Sequence, residues 1–105
     1  MNILETAMSL IAGAGDSKSF SMEAIMKAKE GKFNEARGLI EKAKEAMVET
    51  HDIQLQMIRE EITGEKTEVT LLMVHAQDHL TSAMLMRDMA LEFIDIYEKT
   101  LAKGE

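Results

Sequence analysis

The chain has 105 residues, no cysteine, no proline, ten methionines and a formal net charge of −7. This length predicts one domain spanning residues 1–105, the lack of cysteine excludes disulfides and cysteine nucleophiles, and the acidic charge argues against sequence-independent binding of nucleic acid. There is no signal-peptide pattern and no run of about 18 apolar residues, so we expect a cytoplasmic protein without direct membrane insertion. Few aromatic residues and the absence of proline favour helices over sheets.

Segments with helical periodicity follow one another at about residues 2–30, 35–63 and 68–103. In the first segment, the stretch GAGDS contains two glycines that are unfavourable inside a helix, so it predicts a kink or a close contact with another helix. Gly31 is expected to end the first helix at the C′ position, and Asn34 to cap the start of the second. The second helix is expected to end near Gly64, and Thr67 is expected to cap the start of the third. Because both connections are short, the sequence predicts an all-α fold, an antiparallel three-helix bundle.

The third segment is apolar around most of its circumference. With a turn of about 100° per residue, its plainly polar positions fall into one narrow arc that we expect to face solvent. These positions are Thr70, Gln77, Thr81, Asp88, Glu92, Asp95 and Lys99. A helix that is apolar almost all round is an interior helix, and three short helices cannot bury it alone. We therefore expect a homo-oligomer with the third helix near its axis.

The stretch VHAQDHLTS, residues 74–82, contains a second group of polar residues on the opposite face of this helix. His75, Asp78, His79 and Ser82 form one compact cluster there, within an otherwise apolar surface. Charged groups in such surroundings are costly unless they are paired or bound to a metal. Ordinary surface polarity is therefore a poor explanation, although a satisfied hydrogen-bond network at an interface remains an alternative.

Three kinds of chemistry could use this cluster. A zinc metalloprotease would need a glutamate directly after the first histidine, where this chain has Ala76. A ferritin-like di-metal site would need Glu-x-x-His motifs on several helices, and no buried stripe of this sequence supplies one. The third is covalent catalysis, in which an imidazole accepts a phosphoryl group while a second imidazole and a hydroxyl stabilise the charge on its oxygens.

VHAQDHL, together with EGKFNEA, AGAGDSKS and the THDIQ stretch before ITGE, resembles the enzyme IIA component of the lactose/cellobiose-specific branch of the bacterial phosphoenolpyruvate:sugar phosphotransferase system. The resemblance extends over essentially the whole chain and keeps the spacing between these blocks. It implies a homotrimer of three-helix subunits with the third helix near the threefold axis.

The resemblance also implies a phosphotransferase function with a phosphohistidine intermediate. His75 would accept a phosphoryl group on Nε2 from the phosphocarrier protein HPr and pass it to a cysteine of enzyme IIB. This transfer would serve the uptake and phosphorylation of a β-linked disaccharide, and the form of the motif favours the cellobiose or chitobiose type over the lactose type. The competing hypothesis is a non-enzymatic oligomeric helical module whose histidines only tune an interface.

The other residues of the motif receive roles by the same resemblance. Asp78 matches an aspartate that meets its symmetry mates on the threefold axis and binds a divalent metal, expected to be Mg²⁺, which would offset the repulsion between carboxylates. His79 would support the transfer by donating a hydrogen bond to phosphate oxygens, and Ser82 is a further candidate for this role. Gln77 points away from His75 on the helix, so it could contact the phosphate only from a neighbouring chain.

The sequence departs from the family pattern at two positions. Thr81 stands where many members have methionine, and Ser82 stands where threonine is frequent; neither departure changes the histidines or the aspartate. In the second helix, His51 and Gln54 match a family pattern and have two interpretations. They either make structural hydrogen bonds or line the site of an adjacent subunit.

Overall fold

The computed structural model describes residues 2–103, and these residues form the helices α1 (Ile3–Lys29), α2 (Phe33–Ile62) and α3 (Leu71–Lys103). The helices lie side by side in an elongated bundle measuring 59 × 21 × 20 Å. α1 packs extensively against both α2 and α3, whereas α2 and α3 contact each other less. The predicted all-α fold with three helices is confirmed. No helix within the described residues combines the length and the apolarity that a membrane crossing requires.

The first connection shows why α1 ends where it does. Gly31 has a φ of 79°, a left-handed conformation that glycine adopts without the steric penalty of a Cβ atom. The N–H of Gly31 donates to the carbonyl of Ala28 at 3.0 Å, and the N–H of Lys32 donates to that of Lys27 at 2.9 Å. This pair of bonds is the Schellman motif, so the predicted C′ position of Gly31 is confirmed.

The second connection repeats this arrangement. Gly64 has a φ of 103°, its N–H donates to the Glu61 carbonyl at 3.1 Å, and the next N–H, that of Glu65, donates to the Glu60 carbonyl at 2.9 Å. Gly64 therefore ends α2 as predicted.

The predicted N-cap of α2 is wrong. This helix begins at Phe33, so Asn34 already lies inside its first turn, and the residue at the cap position is Lys32. Lys32 makes no capping hydrogen bond with its side chain. The Schellman turn at Gly31 returns the chain to helical geometry after a single residue, which leaves no extended residue at position 34.

The predicted N-cap of α3 is also wrong, by three residues. α3 begins at Leu71, and the N–H of Met73 donates to the Oγ1 of Thr70 at 3.1 Å. Thr70 is therefore the capping residue, and Thr67 belongs to the connection that precedes it. Both threonines have the chemistry of a cap, but only Thr70 stands directly before the first helical residue.

The core of the bundle is built mainly from alanine and falls into two clusters along its length. One contains Leu10, Met47, Met73 and Leu80 with four alanines, and the other contains Ile40 and Ile94 with four alanines. Because alanine has a short side chain, the helices approach one another closely.

The GAGDS stretch contains the closest of the glycine contacts. A Cβ atom added at Gly13 would overlap the Oγ1 of Thr50 on α2, whereas one added at Gly15 would meet open space. α1 continues as one helix through this stretch. Of the two predicted alternatives, the close helix contact is confirmed at Gly13.

Candidate functional site

Two histidines of α3 lie one turn apart on the outer side of the bundle. The Nε2 atoms of His75 and His79 are 3.0 Å apart, and the two rings meet edge to face with centroids 4.4 Å apart. His75 is exposed and His79 is half-buried. At this distance the two nitrogens share a hydrogen bond, in which one ring donates and the other accepts.

Lys18 of α1 contacts the other nitrogen of the second ring. Its Nζ atom lies 2.8 Å from the Nδ1 of His79. The contact between the two helices is close because Ala14 on α1 and Ala76 and Ala83 on α3 are fully buried in the same core cluster. His79 is thus held on one side by a lysine and on the other by His75.

The surroundings of His79 favour its neutral form. Partial burial lowers the pKa of His79 below the ordinary value of 6.5, the charges of Lys18 and His75 lower it further, and the charge of Asp78 acts in the opposite direction. Burial acts by disfavouring the charged imidazolium, and the nearby cation acts by repulsion. We therefore expect a neutral imidazole at position 79 at neutral pH.

Asp78 and Ser82 have different surroundings. Asp78 is exposed on the same outer face. The hydroxyl of Ser82 donates to the main-chain carbonyl of His79 at 3.1 Å, so in this structure it is bonded to its own helix. Within residues 2–103, no group of three or more acidic, histidine or cysteine side chains comes together in a way that could hold a metal ion. A metal bound by Asp78 would therefore need ligands from outside this single chain.

Gln77 faces α2. It is half-buried, its Oε1 accepts a hydrogen bond from the Nε2 of Gln54 at 2.8 Å, and its own Nε2 lies 3.5 Å from the sulfur of Met73. The expectation that Gln77 faces solvent is wrong because α2 covers this side of α3. The helix geometry placed Gln77 away from His75, and within one chain the two residues remain on different flanks of α3.

The two family-pattern residues of α2 differ in their contacts. Gln54 makes the hydrogen bond to Gln77, as the structural interpretation expects. His51 lines a groove between α2 and α3 together with Lys44 and Arg87, and it does not join the histidine pair of its own chain. Its role near an adjacent subunit stays a prediction.

Sequence reasoning did not single out Lys18, although the residue lies in one of the blocks that carry the resemblance. A lysine in an amphipathic helix usually extends into solvent. The sequence gives no signal that Lys18 contacts His79, because the register of α1 against α3 decides which side chains of the two helices meet.

Residues 5–98 match the family model of the lactose/cellobiose-specific IIA subunit of the phosphotransferase system. Among similar proteins, the lichenan-specific phosphotransferase enzyme IIA component of Bacillus subtilis is 50% identical over 90 residues, which are 86% of this chain and 82% of the relative. The N,N'-diacetylchitobiose-specific EIIA component of Escherichia coli is 36% identical over 98 residues, 93% of this chain and 84% of the relative.

Solved structures agree with these sequence matches. The cellobiose-specific enzyme IIA from Bacillus anthracis has a TM-score of 0.94 and 46% identity, covering 99% of this chain and 96% of that one. The IIA(Chitobiose) of Escherichia coli, determined in complex with HPr, has a TM-score of 0.80 and 33% identity, covering 95% and 97%. These findings confirm the resemblance and favour a phosphocarrier over a non-enzymatic module. The chain belongs to the lactose/cellobiose-specific enzyme IIA family and is a phosphoryl-transfer component of the sugar phosphotransferase system.

Proposed function

We propose that His75 carries the phosphoryl group on Nε2, accepting it from phosphorylated HPr and passing it to a cysteine of enzyme IIB. The observation that carries this proposal is the exposed His75 ring, whose Nε2 lies 3.0 Å from the Nε2 of His79. A phosphoryl acceptor has to be reachable by two partner proteins in turn, and His75 meets this requirement. The relative from Escherichia coli that forms a complex with HPr supports the choice of donor.

The second imidazole supplies what phosphoryl transfer requires beyond a nucleophile. Transfer depends mainly on in-line positioning and on stabilising the charge of the phosphoryl oxygens. The Nε2 of His79 lies within hydrogen-bond distance of the nitrogen that would be phosphorylated, and in the tautomer with its proton on Nε2 the ring has an N–H there. Once the N–P bond has formed, this N–H can donate to a phosphoryl oxygen. The hydroxyl of Ser82 would have to leave the His79 carbonyl to do the same, and Gln77 would act from a neighbouring chain.

We propose that the system served by this protein imports a β-linked disaccharide of the cellobiose or chitobiose type. Relatives specific for lichenan and cellobiose are 50% and 46% identical to the chain, which supports the cellobiose type in particular. Galactose-, chitobiose- and lactose-specific relatives are 40%, 36% and 34% identical. The proposal is tested through the enzyme IIB that accepts phosphate from this chain.

We propose a homotrimer with α3 near its threefold axis. The chain leaves large apolar side chains of α3 exposed, including Leu71 at 87%, Leu85 at 60% and Met89 at 48%. Exposed apolar surface of this extent is typical of an interface. Asp78 lies among these residues on the same helix, so a trimer that buries them brings three carboxylates together.

A divalent cation fits this arrangement. Like charges that share a site repel unless they are protonated or neutralised, and carboxylate oxygens are the ligands that Mg²⁺ prefers. Asp78 of each chain would hold the ion, which when bound supplies the positive charge that offsets the repulsion. In this proposal the ion acts on the assembly of the trimer.

The assignment of His75 is tested with His75→Gln, incubated with phosphoenolpyruvate, enzyme I and HPr. We expect the variant to take up no phosphate while its sedimentation stays that of the wild type. Glu45→Gln is the matched control, because it places a glutamine at an exposed position of α2 outside the histidine pair and should accept phosphate normally. If His75→Gln still acquires acid-labile phosphate from HPr, His75 is not the acceptor.

The acceptor side is tested by adding enzyme IIB proteins to the phosphorylated wild type. We expect phosphate to move to a cellobiose- or chitobiose-type enzyme IIB faster than to a lactose-type one. Faster transfer to the lactose-type protein would contradict the proposed branch while leaving the role of His75 untouched.

The metal proposal is tested with Asp78→Leu, which removes the carboxylate and adds apolar surface. We expect the variant to lose bound Mg²⁺, to remain trimeric and to melt at the same or a higher temperature. Asp52→Leu, at an exposed position of α2, should keep the metal. Dissociation of the Asp78→Leu trimer would count against the proposed role.

A further inference from the structure

Lys18, His79 and His75 form a chain of hydrogen-bonded groups from α1 to the proposed phosphoryl acceptor. The Nζ of Lys18 lies 2.8 Å from Nδ1 of His79, and Nε2 of His79 lies 3.0 Å from Nε2 of His75. Each imidazole nitrogen that takes part has one hydrogen-bond partner in this series of three side chains. The positions of the ring protons therefore depend on one another.

The donors and acceptors can be assigned from one end. A lysine ammonium has N–H donors and no acceptor, so Nδ1 of His79 must accept and cannot carry a proton. A ring with an unprotonated Nδ1 carries its one proton on Nε2, which donates to Nε2 of His75. That nitrogen of His75 accepts, so its lone pair is free of a covalent proton, and the proton of the His75 ring is on Nδ1.

We propose that Lys18 is a positioning residue that fixes the tautomer of His79 and, through it, presents an unprotonated Nε2 of His75 to the phosphoryl donor. This inference rests on the proposed role of His75 as the acceptor and adds a residue of α1 to that site. Within the described residues, Lys18 contacts Nδ1 of His79 and not the reacting nitrogen of His75.

The transfer step follows directly from this protonation pattern. The lone pair on Nε2 of His75 forms the new N–P bond. The bond between phosphorus and the donor protein breaks, and its electron pair stays on the donor-protein atom that had held the phosphoryl group. The proton on Nδ1 of His75 stays in place, so no proton has to leave before attack. Because this lone pair is the one that accepts from His79, the N–H of His79 has to turn away from Nε2 of His75 before the N–P bond forms, and it is then available to a phosphoryl oxygen.

Other nearby side chains do not supply the same constraint. Within the described residues, Lys18 is the side chain that contacts Nδ1 of His79. The Ser82 hydroxyl bonds the main-chain carbonyl of His79 and leaves the ring unconstrained. Without Lys18, the proton of His79 could sit on either nitrogen, and in the Nδ1–H form His79 would no longer donate to His75.

The test measures the ring tautomers directly. Long-range ¹H–¹⁵N correlation spectra of the unphosphorylated protein at pH about 8, above the ordinary imidazole pKa of about 6.5, distinguish protonated from unprotonated ring nitrogens. The spectra are recorded for the wild type, Lys18→Met, Lys18→Arg and the matched control Lys29→Met, an exposed lysine of the same helix. The rate of phosphorylation by HPr is measured for the same four proteins.

In the wild type, Lys18→Arg and Lys29→Met we expect a protonated Nε2 on His79 and an unprotonated Nε2 on His75. In Lys18→Met we expect both rings to show mixed tautomers and phosphorylation to slow by roughly two- to fivefold, in proportion to the smaller fraction of His75 rings with an unprotonated Nε2. Unchanged tautomers in Lys18→Met would overturn the proposal, even if the rate fell. Failure of the proposed function has a different signature, because the wild type would then take up no phosphate on His75 whatever its tautomers.

Discussion

Gly13→Ala tests how closely α1 approaches α2. The added Cβ atom would overlap the Oγ1 of Thr50, lie 3.1 Å from its Cβ and lie 3.4 Å from the carbonyl oxygen of Ala46. Thr50 is 4% exposed, so it has little room to turn away. Even if the Thr50 hydroxyl rotates away, the added Cβ atom stays closer to the Cβ of Thr50 than an ordinary van der Waals contact. The two helices must therefore move slightly apart.

Two effects of opposite sign decide the result. Alanine is about 1 kcal/mol more favourable than glycine inside a helix, whereas forcing an extra carbon into a packed contact costs about 1 to 3 kcal/mol. We therefore expect Gly13→Ala to lower the free energy of unfolding by about 1 kcal/mol. Gly15→Ala gains the same helix propensity and meets open space, so it should raise that free energy by about 0.5 to 1 kcal/mol.

The assay is urea unfolding followed by circular dichroism at one fixed chain concentration, because association of chains would shift the midpoint. The free energies of unfolding of Gly13→Ala and Gly15→Ala should differ by about 2 kcal/mol. Thr50→Ala removes the overlapping hydroxyl, so the Gly13→Ala/Thr50→Ala pair should be coupled by at least about 0.5 kcal/mol. The close contact would be refuted if Gly13→Ala proved as stable as Gly15→Ala.

Other predictions concern buried hydroxyls, salt and pH. Ser17→Ala should lower the free energy of unfolding by up to about 1 kcal/mol, because the buried Ser17 hydroxyl donates to a carbonyl of α2 at 2.9 Å. Ser21→Ala should leave it unchanged or raise it, because the buried Ser21 hydroxyl has no partner within the described residues. Chemical denaturation of both variants measures the difference. A hydrogen bond to Asp95 on α3 is the chief cause of the raised pKa of Arg37, but the Arg37 side chain is half exposed. Arg37→Met should therefore lower the free energy of unfolding by less than about 1 kcal/mol, and by less still at high salt. Because the pKa of His79 is lower in the folded state, the unfolded chain binds more protons as the pH falls. The melting temperature should therefore decrease as the pH falls through 6.5 towards the folded-state pKa. A His79→Gln variant that keeps the same pH dependence of the melting temperature would show that His79 is not the cause.

The fold could be predicted from the sequence because its main signals are local. Gly31 and Gly64 mark the ends of two helices since both positions need a left-handed backbone, which glycine adopts most easily. The starts of the helices were harder to predict. Asn34 and Thr67 have side chains that suit a cap, but a cap also needs an extended backbone directly before the first helical residue, and side-chain chemistry does not specify that.

The candidate site was predictable to the extent that it lies within one helix. The spacing of His75 and His79 alone places them on consecutive turns, and the structure brings their rings together as that spacing allows. The surroundings of Gln77 and Lys18 depend on which helix covers each flank of α3. This is set by the alanine contacts between helices, which a helical wheel of one segment cannot supply.

The position of the histidine pair at the edge of the α3 contact with α1 explains how one site can be both ordered and accessible. Ala76, the residue after His75, is fully buried, while His75 itself is exposed and His79 is half-buried. A histidine in the core could not meet two partner proteins in turn, and one at the centre of the outer face would have no neighbouring helix to orient it. At the edge, α1 supplies Lys18 from one side while the other side stays open. The small residues of the core therefore bear on function, because they bring α1 close enough for that lysine to reach the ring.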